Sequence, residues 1–299
     1  MEKIKFNLQM FAAENMTAAK DLNPEISIDF VSKITQNIRE LMKVLGITEM
    51  ESMPAGNSIK IYEMKLVNTP DQVAEGETIG LTKVVRNLVK TIELTLEKHR
   101  RNTSAEAIQK VGREVAINQA DEKLVAGIQK DIKQKFYNML MTGTGTATGT
   151  TLQSALANLW GALQKFHEDE DTTPIYFVSP DDVAEYLGNA QITMQQAFGM
   201  SYVEDFLGLG TVVVSPRLVK GKVIGTAKEN LHGAYIPANG GDVARTFGLT
   251  SDATGLVGMK HSTDDTNATV NTLAMSGVVF YPEFIDGVFV ATITPAAGA

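Results

Sequence analysis

From Thr103 to Gly143 the stretch "TSAEAIQKVGREVAINQADEKLVAGIQKDIKQKFYNMLMTG" repeats apolar side chains at three- and four-residue steps: Ile108, Val111, Val115, Val125, Ile128, Ile132, Phe136 and Met139. That spacing predicts one amphipathic helix, opened by a capping box of Thr103 with Glu106 and stopped at Gly143. About 37 helical residues would span about 55 Å, several times the common helix length. Just before it the period changes to two. "SIKIYEMKLV" from Ser58 places Ile59 and Ile61 on one face, and "KTIELTLEKH" from Lys90 alternates Ile92, Leu94 and Leu96 with Thr91, Glu93, Thr95 and Glu97. Such alternation predicts two long antiparallel strands with a solvated face, turning near Asn68-Thr69-Pro70-Asp71. A long single-striped helix beside a long hairpin is a poor shape for a compact enzyme and suits a tile in an assembly.

The flanking segments complete the layout. The first two dozen residues lack periodicity and read as an arm that needs a partner to order. "NPEISIDFVSKITQNIRELMKVLG" follows as a helix, with Asn23 as cap, Pro24 at its first position and Gly46 at its end. "TGTGTATGTT" is Gly/Thr-rich and reads as a linker. Beyond it "TLQSALANLWGALQKF" is an amphipathic helix carrying Leu152, Leu156, Leu159, Trp160, Leu163 and Phe166. "PIYFVSP" is a buried strand, Ser179-Pro180-Asp181 opens a helix, and "TVVVSP" and "KVIGTA" are further strands. The alternation describes a mixed α/β domain from about residue 150 to 245. In the tail, "ATVNTLAMSG" reads as a short helix and "GVFVATIT" as a final strand.

Composition narrows the classes of function. Of 299 residues, 43% are hydrophobic and 21% charged, as in ordinary globular proteins. No window supplies the run of about 18 apolar residues that a spanning helix needs, and Asn7, Gln9 and Glu14 interrupt any signal-peptide core. A soluble, unexported protein is expected. The absence of cysteine excludes disulfides, thiolate catalysis and cysteine-based metal sites. A net charge of -8 argues against a dedicated nucleic-acid binder, although an acidic shell can still enclose nucleic acid.

Several motifs invite a chemical reading and do not sustain it. Glu75 and Glu77 flank Gly76 in "VAEGETIGLTKVV", on an extended segment where solvated carboxylates titrate normally and make poor general acids. Gly143, Gly145 and Gly149 miss the dinucleotide spacing, follow a helix rather than a strand, and lack a Gly-Lys-Ser/Thr partner. "HEDED", His167 to Asp171, has no calcium-loop pattern and sits at a helix end. His99, His167, His232 and His261 form no metal-ligand cluster. No catalytic, metal or cofactor residue is therefore assigned. The basic group Lys98, Arg100 and Arg101 lacks interleaved aromatics for stacking, and subunit-to-subunit ion pairing is its favoured role.

The order of elements, with three stretches, resembles one family. "KFNLQMFA", residues 5–12, is similar to the opening of many structural proteins from phages of Gram-positive bacteria. "VAEGETIGLTKV" resembles an E-loop passage, and "IYFVSPDDVAEYL" an axial-domain strand and helix, of major capsid proteins of tailed bacteriophages with the Hong Kong 97-type (HK97-like) fold. The resemblance implies an α+β chain: N-terminal arm and helix (1–46), E-loop β-hairpin (47–101), spine helix of a peripheral domain (102–149), mixed α/β axial domain (150–245) and a return segment completing the peripheral domain (246–299).

It further implies a structural subunit that assembles into hexamers and pentamers of an icosahedral or elongated shell in the bacterial cytoplasm. The expected partners are other copies of itself, packaged double-stranded DNA, a portal protein at one vertex and, since the arm begins almost at Met1, either a separate scaffolding protein or none. The residues it places at subunit interfaces are Ile4, Phe6, Leu8 and Phe11 of the arm, Glu75, Glu77, Lys83 and Arg86 of the hairpin, and Lys98, Arg100 and Arg101. Some family members cross-link a lysine to an asparagine; Lys65, Lys83, Lys90 and Asn267 are available, but nothing in the sequence brings them together. The rivals are an encapsulin of the same fold, a hydrolase using Glu75 and Glu77, and a monomeric binding module.

Overall fold

The computed structural model describes residues 50–54, 56–66, 81, 83–168, 170–188, 194–197, 200–239, 241–251 and 255–294. The arm, the first helix and the hairpin tip with Glu75 and Glu77 lie outside them. Strand β1 (Met50–Ser52) precedes a hairpin of β2 (Ser58–Leu66) and β3 (Val84–Glu93). The hairpin pairs antiparallel from Ser58 opposite Glu93 to Leu66 opposite Val84, with a bulge between Ile61 and Tyr62. Each strand reaches about 30 Å, and the two make most of their contacts with each other. Residues 90–99 do not continue as one strand. Leu94 turns inward, exchanges backbone hydrogen bonds with Gly56 and Asn57, and packs with Ala234 and Ile236. Burying Leu94 is worth about 1.5–3 kcal/mol, more than one further exposed ladder position can return.

Strand β4 (Glu97–Ser104) then starts a different sheet. The long helical pattern is realised as two helices, α1 (Ala105–Val111) and the 28-residue α2 (Arg113–Leu140). Gly112, at φ +83°, ends the first helical ladder, so Val111 and Val115 fall on the exposed side. The buried stripe is Ile117, Asp121, Val125, Ile128, Ile132, Phe136 and Met139. Ser104 rather than Thr103 caps α1, its Oγ accepting from the Ala107 amide at 3.3 Å, while Thr103 is buried in β4.

The Gly/Thr-rich segment is not a linker but strand β5 (Gly145–Gly149). Its glycines permit close packing. A Cβ on Gly149 would lie 2.5 Å from the Ala155 amide, one on Gly143 2.5 Å from the Val288 carbonyl, and one on Gly145 inside the Phe289 ring. Gly149→Ala should therefore destabilise the protein by about 1–3 kcal/mol; a chemical-denaturation midpoint equal to wild type would show that β5 can move away.

Helix α3 (Leu152–Phe166) carries a reciprocal capping box of Thr151 and Ser154, and leads through β6 (Pro174–Val178) to α4 (Pro180–Leu187), capped by Ser179. Strands β7 (Gln195–Ala197), β8 (Met200–Val203), β9 (Thr211–Val214), β10 (Lys222–Ala227) and β11 (Leu231–Tyr235) follow, then α5 (Asp242–Phe247). The chain closes with β12 (Val257–Asp264), β13 (Thr269–Ser276), β14 (Val278–Pro282) and β15 (Phe289–Ile293).

Three further sheets result. A seven-stranded sheet has the order β5-β15-β10-β6-β9-β8-β7, and three-stranded sheets are ordered β12-β13-β4 and β1-β11-β14. The segment expected as a short helix is β13, paired along its length with β12 on one side and β4 on the other. Two ladders satisfy its backbone on both edges, and its β-branched Thr269, Val270 and Thr272 favour the pleat over the helix. The seven-stranded sheet also crosses the ranges drawn from sequence. It takes β5 from the spine range and β15 from the return segment, because those two strands pair parallel with each other.

Helix α2 packs on the sheets through Phe136, whose ring meets Tyr137, Phe177 and Phe280 edge-on at 5.5–5.6 Å between centroids. A second apolar cluster joins Leu156, Leu159 and Leu163 of α3 to Tyr176, Val212 and Ala291 of the sheet. Burial, partly offset by a hydrogen bond to Ser215, pushes the Tyr137 phenol up to about 12. Its folded value lies above the unfolded one near 10, so its contribution is complete below pH 10 and is lost as pH rises toward 12. Tyr137→Phe should flatten part of that alkaline loss in a denaturation series; an unchanged slope would exclude Tyr137 as its source.

Candidate functional site

Strand β3 of the hairpin has no buried residue. Val84 and Leu88 remain 59% and 53% exposed, and Leu81 and Val89 are also exposed. Lys83 is exposed at the foot of β3, and the Arg86 guanidinium lies 3.7 Å over the Tyr62 ring, which holds it along the strand. A two-stranded ribbon is marginal in isolation, and this one leaves aliphatic side chains beside cations in solvent. That composition fits a contact surface.

The basic group at the hairpin's end is divided by strand alternation. Lys98 and Arg100 point outward from β4; Arg100 donates to Asn271 Oδ1 at 3.1 Å and lies 4.0 Å from Asp264. Arg101 points toward α2, donating to the Ala116 carbonyl at 3.3 Å and standing 3.9 Å from Asp121. Lys135 reaches from α2 to Glu97 at 2.6 Å. Sequence distance alone could not show this division, whereas the period of two could. Ile4, Phe6, Leu8, Phe11, Glu75 and Glu77 lie outside the described residues. Asn267, a candidate for cross-linking, accepts a hydrogen bond from Thr269 Oγ1 at 2.7 Å in the β12–β13 turn.

A buried polar cluster missed by sequence reasoning lies under β4. Asp121, 3% exposed, accepts from Thr272 Oγ1 at 2.9 Å through one oxygen and meets His261 Nε2 at 2.7 Å through the other. The trio resembles a hydrolytic triad in composition only. Thr272 gives its hydrogen to the carboxylate rather than to the imidazole, so no base activates the hydroxyl, and all three groups are shut from solvent. The cluster joins α2 to the β12–β13–β4 sheet. Its one sequence signal is an acid at a stripe position, four residues from both Ile117 and Val125.

Other candidate sites resolve into internal pairings. A cleft of about 560 Å³ between α3 and α4 includes Asp182, Glu185, Tyr186 and Lys220. There the Asp182 carboxylate accepts from the Gly221 amide at 3.0 Å, and Lys220 pairs with Glu185 at 3.0 Å. Burial pushes the Asp182 carboxyl up against the opposing pull of the Gly221 amide and Lys220. His167 meets Glu170 at 3.1 Å and His232 meets Glu283 at 3.3 Å. Among the described residues no group of three His, Asp or Glu could hold a metal ion, and no helix is long and apolar enough to cross a membrane.

No protein-family model matches the chain, and no curated protein matches it in sequence. Solved structures match over nearly the whole length. The capsid of the cyanophage P-SCSP1u is 10% identical, with a TM-score of 0.55 over 97% of this chain and 94% of that one. The SrpI encapsulin of Synechococcus elongatus is 12% identical, with a TM-score of 0.54 over 90% and 91% of the two chains. The virus-like particle from Pyrococcus furiosus is 14% identical, with a TM-score of 0.52 over 87% and 96%. At such identities the likeness lies in the fold: the chain has the Hong Kong 97-type fold of capsid and encapsulin shells.

Proposed function

We propose that this chain is the structural subunit of a closed protein shell, and specifically the major capsid protein of a tailed bacteriophage of a Gram-positive host. The observation that carries the reading is the hairpin β2–β3, which packs on itself and leaves Val84, Leu88 and neighbouring cations exposed in a fold shared with shell proteins. Unpaired surface of this kind is explained when further copies cover it. The subunit assembles in the host cytoplasm into hexamers and pentamers around double-stranded DNA, with a separate scaffolding protein and a portal at one vertex. In the virion the hairpin acts as the E-loop, α2 as the spine and the seven-stranded sheet as the axial domain. The role is structural, without catalysis.

The likeness to the SrpI encapsulin and the Pyrococcus particle supports a second reading, a cellular compartment. Particles isolated from infected or induced cells decide between them after nuclease treatment. Protected double-stranded DNA supports the capsid, whereas shells holding a protein cargo and no DNA support the compartment. A chain that stays monomeric at micromolar concentration, with and without a co-expressed scaffold, overturns both.

A further inference from the structure

We infer that the cleft between α3 and α4 binds a primary ammonium group on an aliphatic chain, with the Asp182 carboxylate as its counter-ion. All of the lining residues come from one copy, so the site is complete without assembly.

The pairings around this cleft leave one charge unmatched. Helix α4 places Asp182, Glu185 and Tyr186 on one face, at three- and four-residue spacing. Asp182 is only 5% exposed, and both of its oxygens accept from the same Gly221 amide at 3.0 Å. One neutral donor leaves most of a carboxylate's hydrogen-bonding capacity unmet. Of the described charged groups that act on Asp182, Asp181 and Glu185 oppose its ionisation and Lys220 alone favours it. Lys220 is engaged elsewhere, pairing with Glu185 at 3.0 Å where both side chains are exposed. Lys222, in the same turn, donates to Thr292 Oγ1 at 2.7 Å. The opposite wall, residues 150–153 with Ile293, brings no charged side chain. Burial outweighs the Gly221 amide and Lys220, and holds the Asp182 carboxyl above the usual carboxylate range. A buried carboxylate without a paired cation is costly, and a cation entering the cleft relieves that cost.

The cleft has the room and the lining for such a ligand. Its volume of about 560 Å³ lies in the range of small-molecule sites. Leu152, Tyr186 and Ile293 offer apolar wall to a short aliphatic stem. A bare metal ion fits less well, because no group of three His, Asp or Glu among the described residues could hold one. The first turn of α3 presents its partial positive end to the same cleft, which disfavours a second ammonium on the ligand.

A free amine and the lysine side chain of another protein carry the same group. Saturation-transfer NMR on the full chain tests the site with butylamine, against butan-1-ol in equal potassium chloride. A butylamine signal several-fold above that of butan-1-ol is expected, and its loss in Asp182→Asn, which keeps an acceptor for the Gly221 amide. Binding should strengthen as pH rises through the elevated Asp182 titration, because only the ionised carboxylate attracts an ammonium and butylamine stays charged to about pH 10. Glu185→Gln, which releases Lys220 toward Asp182, should weaken binding, and Lys220→Met should strengthen it. Nα-acetyl-lysine methylamide binding more tightly than butylamine assigns the site to a protein lysine, and the reverse order assigns it to a free amine. No butylamine signal, a signal no larger than that of butan-1-ol, or binding unchanged in Asp182→Asn overturns the proposal.

Discussion

Deleting residues 66–82 is expected to leave a protein that folds and stays in solution but forms no closed shells. The deleted stretch comprises the last residue of β2 and the chain up to the foot of β3, while the apolar clusters around α2 and α3 take their residues from elsewhere. The hairpin's base stays anchored by Leu94 against Ala234 and Ile236. Folding stability should therefore change little, whereas each intersubunit contact that uses the hairpin is lost. A closed shell repeats that contact at every subunit, so a modest weakening per contact becomes a complete loss of particles. Negative-stain microscopy with thermal unfolding of the same sample checks both halves. Normal particles would remove the hairpin from the assembly mechanism, and an unfolded product would make it part of the core.

The second large effect is expected at Asp121. Asp121→Ala leaves His261 and Thr272 buried without their shared acceptor and Arg101 without its nearby carboxylate. Breaking a buried charged network by removing one partner costs about 3–5 kcal/mol, which corresponds to roughly 10 °C in Tm for a chain of this size. Arg101→Met should cost far less, because Arg101 is partly solvated and stands 3.9 Å from the carboxylate rather than at hydrogen-bond distance. Chemical denaturation of both variants, with hydrogen exchange across β12, β13 and β4, measures the difference. Equal losses would mean that the sheet is held to α2 by apolar contacts and not by this cluster.

What could be read in advance followed local rules. Where periodicity and end signals agreed, as in Ser179-Pro180 opening α4, in "TVVV" and in "KVIGTA", the elements appear as expected. The same rules erred where a distant partner or a single backbone angle decides. Gly112 looks harmless inside a helical pattern, yet its positive φ divides α1 from α2 and moves the buried stripe off Val111 and Val115. Arg101 reads as a surface cation beside Lys98 and Arg100, but the pleat turns it toward Asp121.

The sequence by itself determined that residues 58–66 and 84–93 are extended and that most of 105–140 is helical, because hydrophobic periods of 2 and 3.6 are properties of contiguous residues. Only the tertiary structure decided that Gly145–Gly149 is a strand, that Thr269–Ser276 is not a helix and that Asp121 meets His261. Each of these depends on a partner more than a hundred residues away: β15 for β5, β4 for β13, and β12 for α2. Strand pairing and buried hydrogen bonds are satisfied between segments that local sequence does not relate, so their free energy leaves no periodic trace in either segment alone.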